Sequence, residues 1–95
     1  MMAHLLVRQK VEDYAKWKAA FDADAAVRAP NGSKGGHIFQ SASDPNEVFI
    51  LLQWDTMENL REFTQSAELK ARMQRAGVVG QPEIYFLNLS DSPSA

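Results

Sequence analysis

Five apolar residues stand in a row from Val48 to Leu52, inside the segment Glu47-Val-Phe-Ile-Leu-Leu-Gln-Trp54. The segment is too short and too rich in β-formers to be a helix. A strand with one wet face alternates apolar and polar side chains, so an unbroken run predicts a strand covered on both faces. A chain of 95 residues has few helices with which to cover two sheet faces. A second copy of the chain is the expected cover for one of them.

The length predicts one domain, residues 1–95, with an ordered core over about 3–89. Hydrophobic residues make up 45% and charged residues 23%, the balance of a globular chain. The formal charge of -2 argues against nucleic acid as a partner, since phosphate binding needs a basic stripe. No apolar run approaches the roughly 18 residues that span a bilayer. The start, Met1-Met2-Ala3-His4-Leu5-Leu6-Val7-Arg8, lacks a basic leader region and reads as no secretory signal. There is no cysteine, hence no disulfide, thiolate metal site or cysteine nucleophile. A cytoplasmic location is expected.

Ala3 to Val11 reads as a strand, with Leu5 and Val7 on one face and Leu6 opposite. Asp13 suits an N-cap, and Tyr14, Trp17, Phe21 and Ala25 follow at helical spacing as one apolar stripe. That helix is predicted to stop before Pro30, with Gly32 to Gly36 as loop. Gly35 to Ala42 reads as the second strand, Ser43 to Asn46 as a tight turn, and the opening run as the third strand. Thr56 caps a second helix in which Leu60, Phe63 and Ala67 share a face. Ser66 suits a second cap, so a kink is expected near Gln65. Gly77 suits the helix end, and Pro82 opens a last strand from Glu83 to Leu89. The order is β-α-β-β-α-β, an α+β, ferredoxin-like arrangement with a four-stranded antiparallel sheet. Two helices cover one face of such a sheet, and the bare apolar face predicts a homodimer through it.

Strand order, the passage Leu52-Gln53-Trp54-Asp55-Thr56 and the helical stretch Phe63-Thr-Gln-Ser66-Ala-Glu-Leu69 carry a resemblance. Over about residues 3 to 89 the chain resembles the dimeric α/β-barrel proteins typified by the antibiotic biosynthesis monooxygenase (ABM) domain. The resemblance implies the dimeric barrel fold. It also implies monooxygenation of polycyclic aromatic substrates without metal or flavin, haem degradation, a signal-related role, or a place among the family's many members with no known function. The haem-degrading members use an Asn on the first strand, a Trp in the second helix and a later His. Here the matching positions are Phe63 and Met73, and the first strand has no Asn. A thioether is a much weaker donor for ferric haem than an imidazole, so haem degradation is not expected. Many ABM sequences also carry a Glu before the third-strand Trp and a His in the next helix, where this chain has Gln53 and Phe63.

Candidate binding residues are therefore His37, Gln53, Trp54, Phe63 and Met73, with His37 the best candidate for catalysis. A hairpin closed by Ser43 and Glu47 would set His37 opposite Gln53, Phe39 opposite Leu51 and Trp54 over Gly36. An imidazole beside an amide could hold a ligand carbonyl or phenol, or act as a base near neutral pH. Phe63 and Met73 are adaptable apolar groups suited to a dry pocket for a flat ligand. Trp17 is expected in the core. The acidic pairs Asp22 with Asp24 and Glu58 with Glu62 read as solvated helix surface, so no metal site and no cofactor are expected. The functional expectation is a cofactor-independent monooxygenase or cyclase-like enzyme acting on a small apolar or aromatic molecule. The alternative is a non-catalytic ligand-binding or assembly module of the same fold.

Overall fold

A computed structural model describes residues 3–95. Met1 and Met2, part of the stretch read above as no leader, lie outside the described residues. Strand β1 (Ala3–Val11) leads to helices α1 (Tyr14–Ala23) and α2 (Ala25–Arg28) and a short 3-10 turn, Ala29–Asn31. Strands β2 (Ser33–Gln40) and β3 (Glu47–Trp54) form a hairpin. Helices α3 (Met57–Thr64) and α4 (Ala67–Arg75) follow, and β4 (Val78–Asn88) closes the chain. The sheet is antiparallel in the order β2-β3-β1-β4, so the two central strands are the first and third in sequence. This is the ferredoxin-like arrangement that the element order predicts.

The caps form where side-chain chemistry favours them. Asp13 accepts from the Ala15 amide at 3.0 Å, Thr56 from Asn59 at 3.1 Å and Ser66 from Leu69 at 3.2 Å. Each satisfies an amide that the first helical turn leaves unpaired, worth about 1 kcal/mol. The cap at Ser66 restarts the chain after Gln65, which divides α3 from α4 as expected. The first helical segment also breaks, at Asp24, and the chain passes through Pro30 in the 3-10 turn before Gly32 reverses it at φ 115°. Only glycine takes that φ without strain. A Cβ at Gly32 would also run into Asp55 and the Trp54 indole.

Alternation along β3 decides the layering. Val48, Ile50, Leu52 and Trp54 point at the helices and are at most 6% exposed. Leu5, Val7 and Val11 of β1 join them, along with Trp17 and Leu60 from the helices. Burying each of these aliphatic side chains contributes about 1.5–3 kcal/mol. The other face carries Phe49 and Leu51, half-buried, beside exposed Phe39, Tyr85 and Leu87. Nothing within the described chain covers that face, so the unbroken apolar run has one face in the core and one open.

Three sequence expectations need correction. The β2–β3 register differs by two residues: His37 pairs with Leu51, Phe39 with Phe49 and Gly36 with Leu52. The turn is wider than assumed, because Ser41 donates to Glu47 O and Asp44 O accepts from the Glu47 amide. Trp54 therefore lies not over Gly36 but beside Gly32, opposite Ser33, with its indole N–H donating to Asn31 O at 2.9 Å. β2 starts at Ser33 and ends at Gln40, two residues earlier at each end than expected. β4 begins at Val78, ahead of Pro82, because a bulge absorbs the proline.

Candidate functional site

The bulge positions the most unusual side chain in the fold. Arg8 pairs with Glu83 and Lys10 with Val79, so one β1 residue, Gln9, stands against three on β4, Gly80 to Pro82. Pro82 has no N–H to give the ladder, and Gly80 takes φ 71°, the geometry by which a strand sheds extra residues. Gln9 shares the face of Leu5, Val7 and Val11 and is 5% exposed. Its Oε1 is buried with no hydrogen-bond partner. An orphaned buried carbonyl costs about 1–3 kcal/mol, and such a group calls for an explanation beyond folding.

Gln9 lines a cavity of about 70 Å³ between the sheet and the helices. Leu5, Val7, Ile50 and Leu52 form its floor, Trp17 and Phe21 come from α1, Phe63 from α3, and Leu69, Met73 and Ala76 from the α4 region. Trp17 and Phe21 stack at 5.1 Å between ring centres. The polar lining consists of Gln9, Asp24, Arg28 and Arg72. The Arg28 guanidinium lies 3.7 Å above the Phe21 ring centre, and its Nη1 donates to Phe21 O at 2.7 Å. Burial depresses its pKa, against the opposing pull of Asp24 and Asp22. Arg72 reaches Glu68 at 3.7 Å, one turn back on α4.

Phe63 and Met73 thus meet at one cavity. Trp54 stands behind Phe63, 4.9 Å between ring centres, and is absent from the cavity lining. His37 and Gln53 lie on the opposite face of the sheet, with His37 exposed and stacked on Phe39 at 6.1 Å. The five candidates divide between two faces. Gln9, Arg28 and Arg72 were not singled out from the sequence. For Gln9 a signal existed: a glutamine at the fourth inward position of a strand whose other inward residues are Ala3, Leu5, Val7 and Val11. Trp17, expected in the core, is in the core and also walls the cavity.

Further clefts adjoin the cavity. One of about 260 Å³ lies between Pro30–Asn31 and α3–α4 and shares Phe63, Leu69 and Arg72 with it. Another, about 600 Å³, runs between α4 and the bulged part of β4 and shares Leu69 and Met73. A third, about 230 Å³, lies beside β2, shares Phe21, Arg28 and Leu52 with the cavity, and is lined by His37 as well. No residue of α4 is fully buried. Leu69 and Met73 line both the cavity and the larger cleft outside it. Among the described residues no group of three or more His, Cys, Asp or Glu could hold a metal ion. No helix among them is long and apolar enough to cross a membrane.

The sequence model described as antibiotic biosynthesis monooxygenase matches residues 2–75. No curated protein matches the chain in sequence. Among solved structures, one assigned by name to the antibiotic biosynthesis monooxygenases, from Bordetella bronchiseptica, superposes with a TM-score of 0.78 at 17% identity, covering 94% of this chain and 97% of that one. SnoaB, a cofactor-independent oxygenase from Streptomyces nogalater, gives 0.77 at 15% identity, with 96% and 95% covered. A third, from Caulobacter crescentus and named in the same way as the first, gives 0.73 at 21% identity, with 95% and 91% covered. At these identities the structures attest the fold, while the match over residues 2–75 attests the family. The chain belongs to the antibiotic biosynthesis monooxygenase family.

Proposed function

We propose that this protein is a cofactor-independent monooxygenase of small, electron-rich aromatic molecules, and that the helix–sheet cavity receives the substrate. The observation that carries the reading is Gln9, whose buried Oε1 has no partner, in a cavity lining that is apolar apart from Gln9, Asp24, Arg28 and Arg72. A phenol or enol O–H is a donor that could satisfy it, and the flat walls offered by Trp17, Phe21 and Phe63 suit an aromatic ring. An oxygenase working without a cofactor draws its electrons from the substrate. A hydroquinone then takes one atom of O2 on a ring carbon and ends as a hydroxyquinone, and the two hydrogens it gives up leave with the second oxygen as water. Met73 and Leu69 are the side chains that would move aside, since a cavity of about 70 Å³ is smaller than the roughly 150 Å³ that accommodates benzene.

The chain would act as a homodimer through the open sheet face. Exposed Phe39, Tyr85 and Leu87, together with half-buried Phe49 and Leu51, make an apolar patch of the kind that marks an interface. Arg8 lies on the same face and is already paired with Glu47 at 3.0 Å and Glu83 at 3.5 Å, which lowers the cost of covering it. A second reading, a ligand-binding module without turnover, is favoured by the position of His37, outside the cavity.

Oxygen uptake with hydroquinones and polyphenols tests the choice. Uptake without added metal, reduced in Gln9→Leu, supports the enzyme. Saturable binding with no uptake supports the module. His37→Ala is expected to keep its uptake, and a loss there would return the role of base to the imidazole.

A further inference from the structure

Arg28 is a half-buried cation for which the folded chain supplies no ion pair. Among the described residues no carboxylate lies within 4.0 Å of it, although Asp24 and Asp22 are close enough to act through space. Its guanidinium is held in place twice, by the stack on Phe21 and by the bond to Phe21 O. A guanidinium has five N–H donors in its plane. Stacking leaves the edge of that plane open, and one bond to a carbonyl leaves further donors free. A fork fixed in this way can grip a carboxylate in two places while losing little further freedom.

The cavity that Arg28 lines also has Gln9 in its lining, and the Gln9 Oε1 is buried without a partner. The guanidinium has donors to spare for an anion, the amide oxygen lacks a donor, and the stacked Trp17 and Phe21 belong to the same lining. The charges on the lining favour an anion: Arg28 and Arg72 against the single carboxylate of Asp24. Arg72 spends part of its charge on Glu68, whose side chain is 82% exposed and screened by water. Arg28 is the cation left for a ligand.

We infer that the ligand is an aromatic acid bearing a hydroxyl group: its anionic group on the Arg28 guanidinium, its ring among Trp17, Phe21 and Phe63, its hydroxyl donating to Gln9 Oε1. This deepens the proposed function and rests on the cavity being the ligand site. A substrate without the acid group would fit the same walls and leave Arg28 unmatched.

The test compares para-hydroxybenzoate with its methyl ester, which keeps the ring and hydroxyl and loses the charge. Binding is followed by calorimetry and by the NMR shifts of the Trp17 indole and Gln9 amide. In the wild-type protein the acid is expected to bind about tenfold more tightly than the ester, the scale of one charge-assisted pair. Arg28→Gln is expected to bring the acid down to the level of the ester and leave the ester unchanged. If Arg28→Gln does not fold by circular dichroism, Arg28→Lys carries the test. It keeps a point charge without the fork, and the preference is expected to fall severalfold. Equal binding of acid and ester by the wild type, or a preference that survives at Arg28→Gln or is undiminished at Arg28→Lys, would overturn the inference alone. Binding of neither compound would overturn the cavity reading with it.

Discussion

Replacing Gln9 by methionine is expected to raise stability and lower activity together. The side chain is 5% exposed and its Oε1 is buried without a partner. That desolvated oxygen costs the folded chain about 1–3 kcal/mol, because in the unfolded chain it bonds to water. Methionine is also unbranched and of similar length, and its thioether fills irregular space without asking for a donor. A gain of about 1–2 kcal/mol follows. In a domain of this size that raises the melting temperature by about 4–8 °C per kcal/mol. Melting curves by circular dichroism at one fixed protein concentration measure it, the concentration mattering because association would stabilise the fold. Oxygen uptake with a hydroquinone substrate is measured on the same samples and is expected to fall at least tenfold. A variant that melts below the wild type would show that Gln9 has a structural partner after all. One that melts higher and keeps its full uptake would remove Gln9 from substrate binding.

Leu51→Asp and Leu52→Asp separate the two faces of β3. The first is expected to leave a folded monomer of 10.6 kDa by sedimentation, and the second, at a position 6% exposed in the core, to unfold the chain. Trp54→Phe removes the donor to Asn31 O and part of a fully buried ring, and is expected to cost about 2–4 kcal/mol in urea unfolding. Asp44 is held below the usual carboxylate range first by the Asn46 backbone N–H and then by Lys10. Its contribution is thus present above the ordinary Asp pKa of about 3.9 and is lost as pH falls through the lower folded value. Asp44→Asn keeps an acceptor for Asn46, and its melting temperature is expected to fall less than that of the wild type between about pH 5 and pH 2.

Much of the fold was legible because local chemistry and global pattern agree. Asp13, Thr56 and Ser66 are caps in sequence and in structure, and the parity of Val48 to Trp54 assigns the core face of β3 correctly even with the wrong register. The slip by two residues preserved parity, which is why His37 kept its face while changing its partner. What set that register was the hydrogen bonding of Ser41, Asp44 and Glu47 around the turn, which residue type alone does not reveal. The candidate site was legible in part. Phe63 and Met73 line the cavity; helical spacing pointed them only inward to the core, and the resemblance alone pointed to a pocket. Gln9 could have been found by parity in β1, but its lack of a partner depends on packing between elements distant in sequence. Arg28 carried no signal, since a cation near a helix end ordinarily points to water.

The bulge from Gly80 to Pro82 has a bearing on solubility as well as on the site. β4 is an outer strand of the sheet, where unpaired amides and carbonyls invite another chain to add on and keep adding. A proline without an N–H and a glycine at positive φ spoil that template in the middle of the strand. With this margin of the sheet poorly suited to growth, the proposed homodimer through the broad apolar face has less competition. Contact through an edge can repeat without limit, as in a fibre, whereas two faces that meet about a twofold axis use each other up.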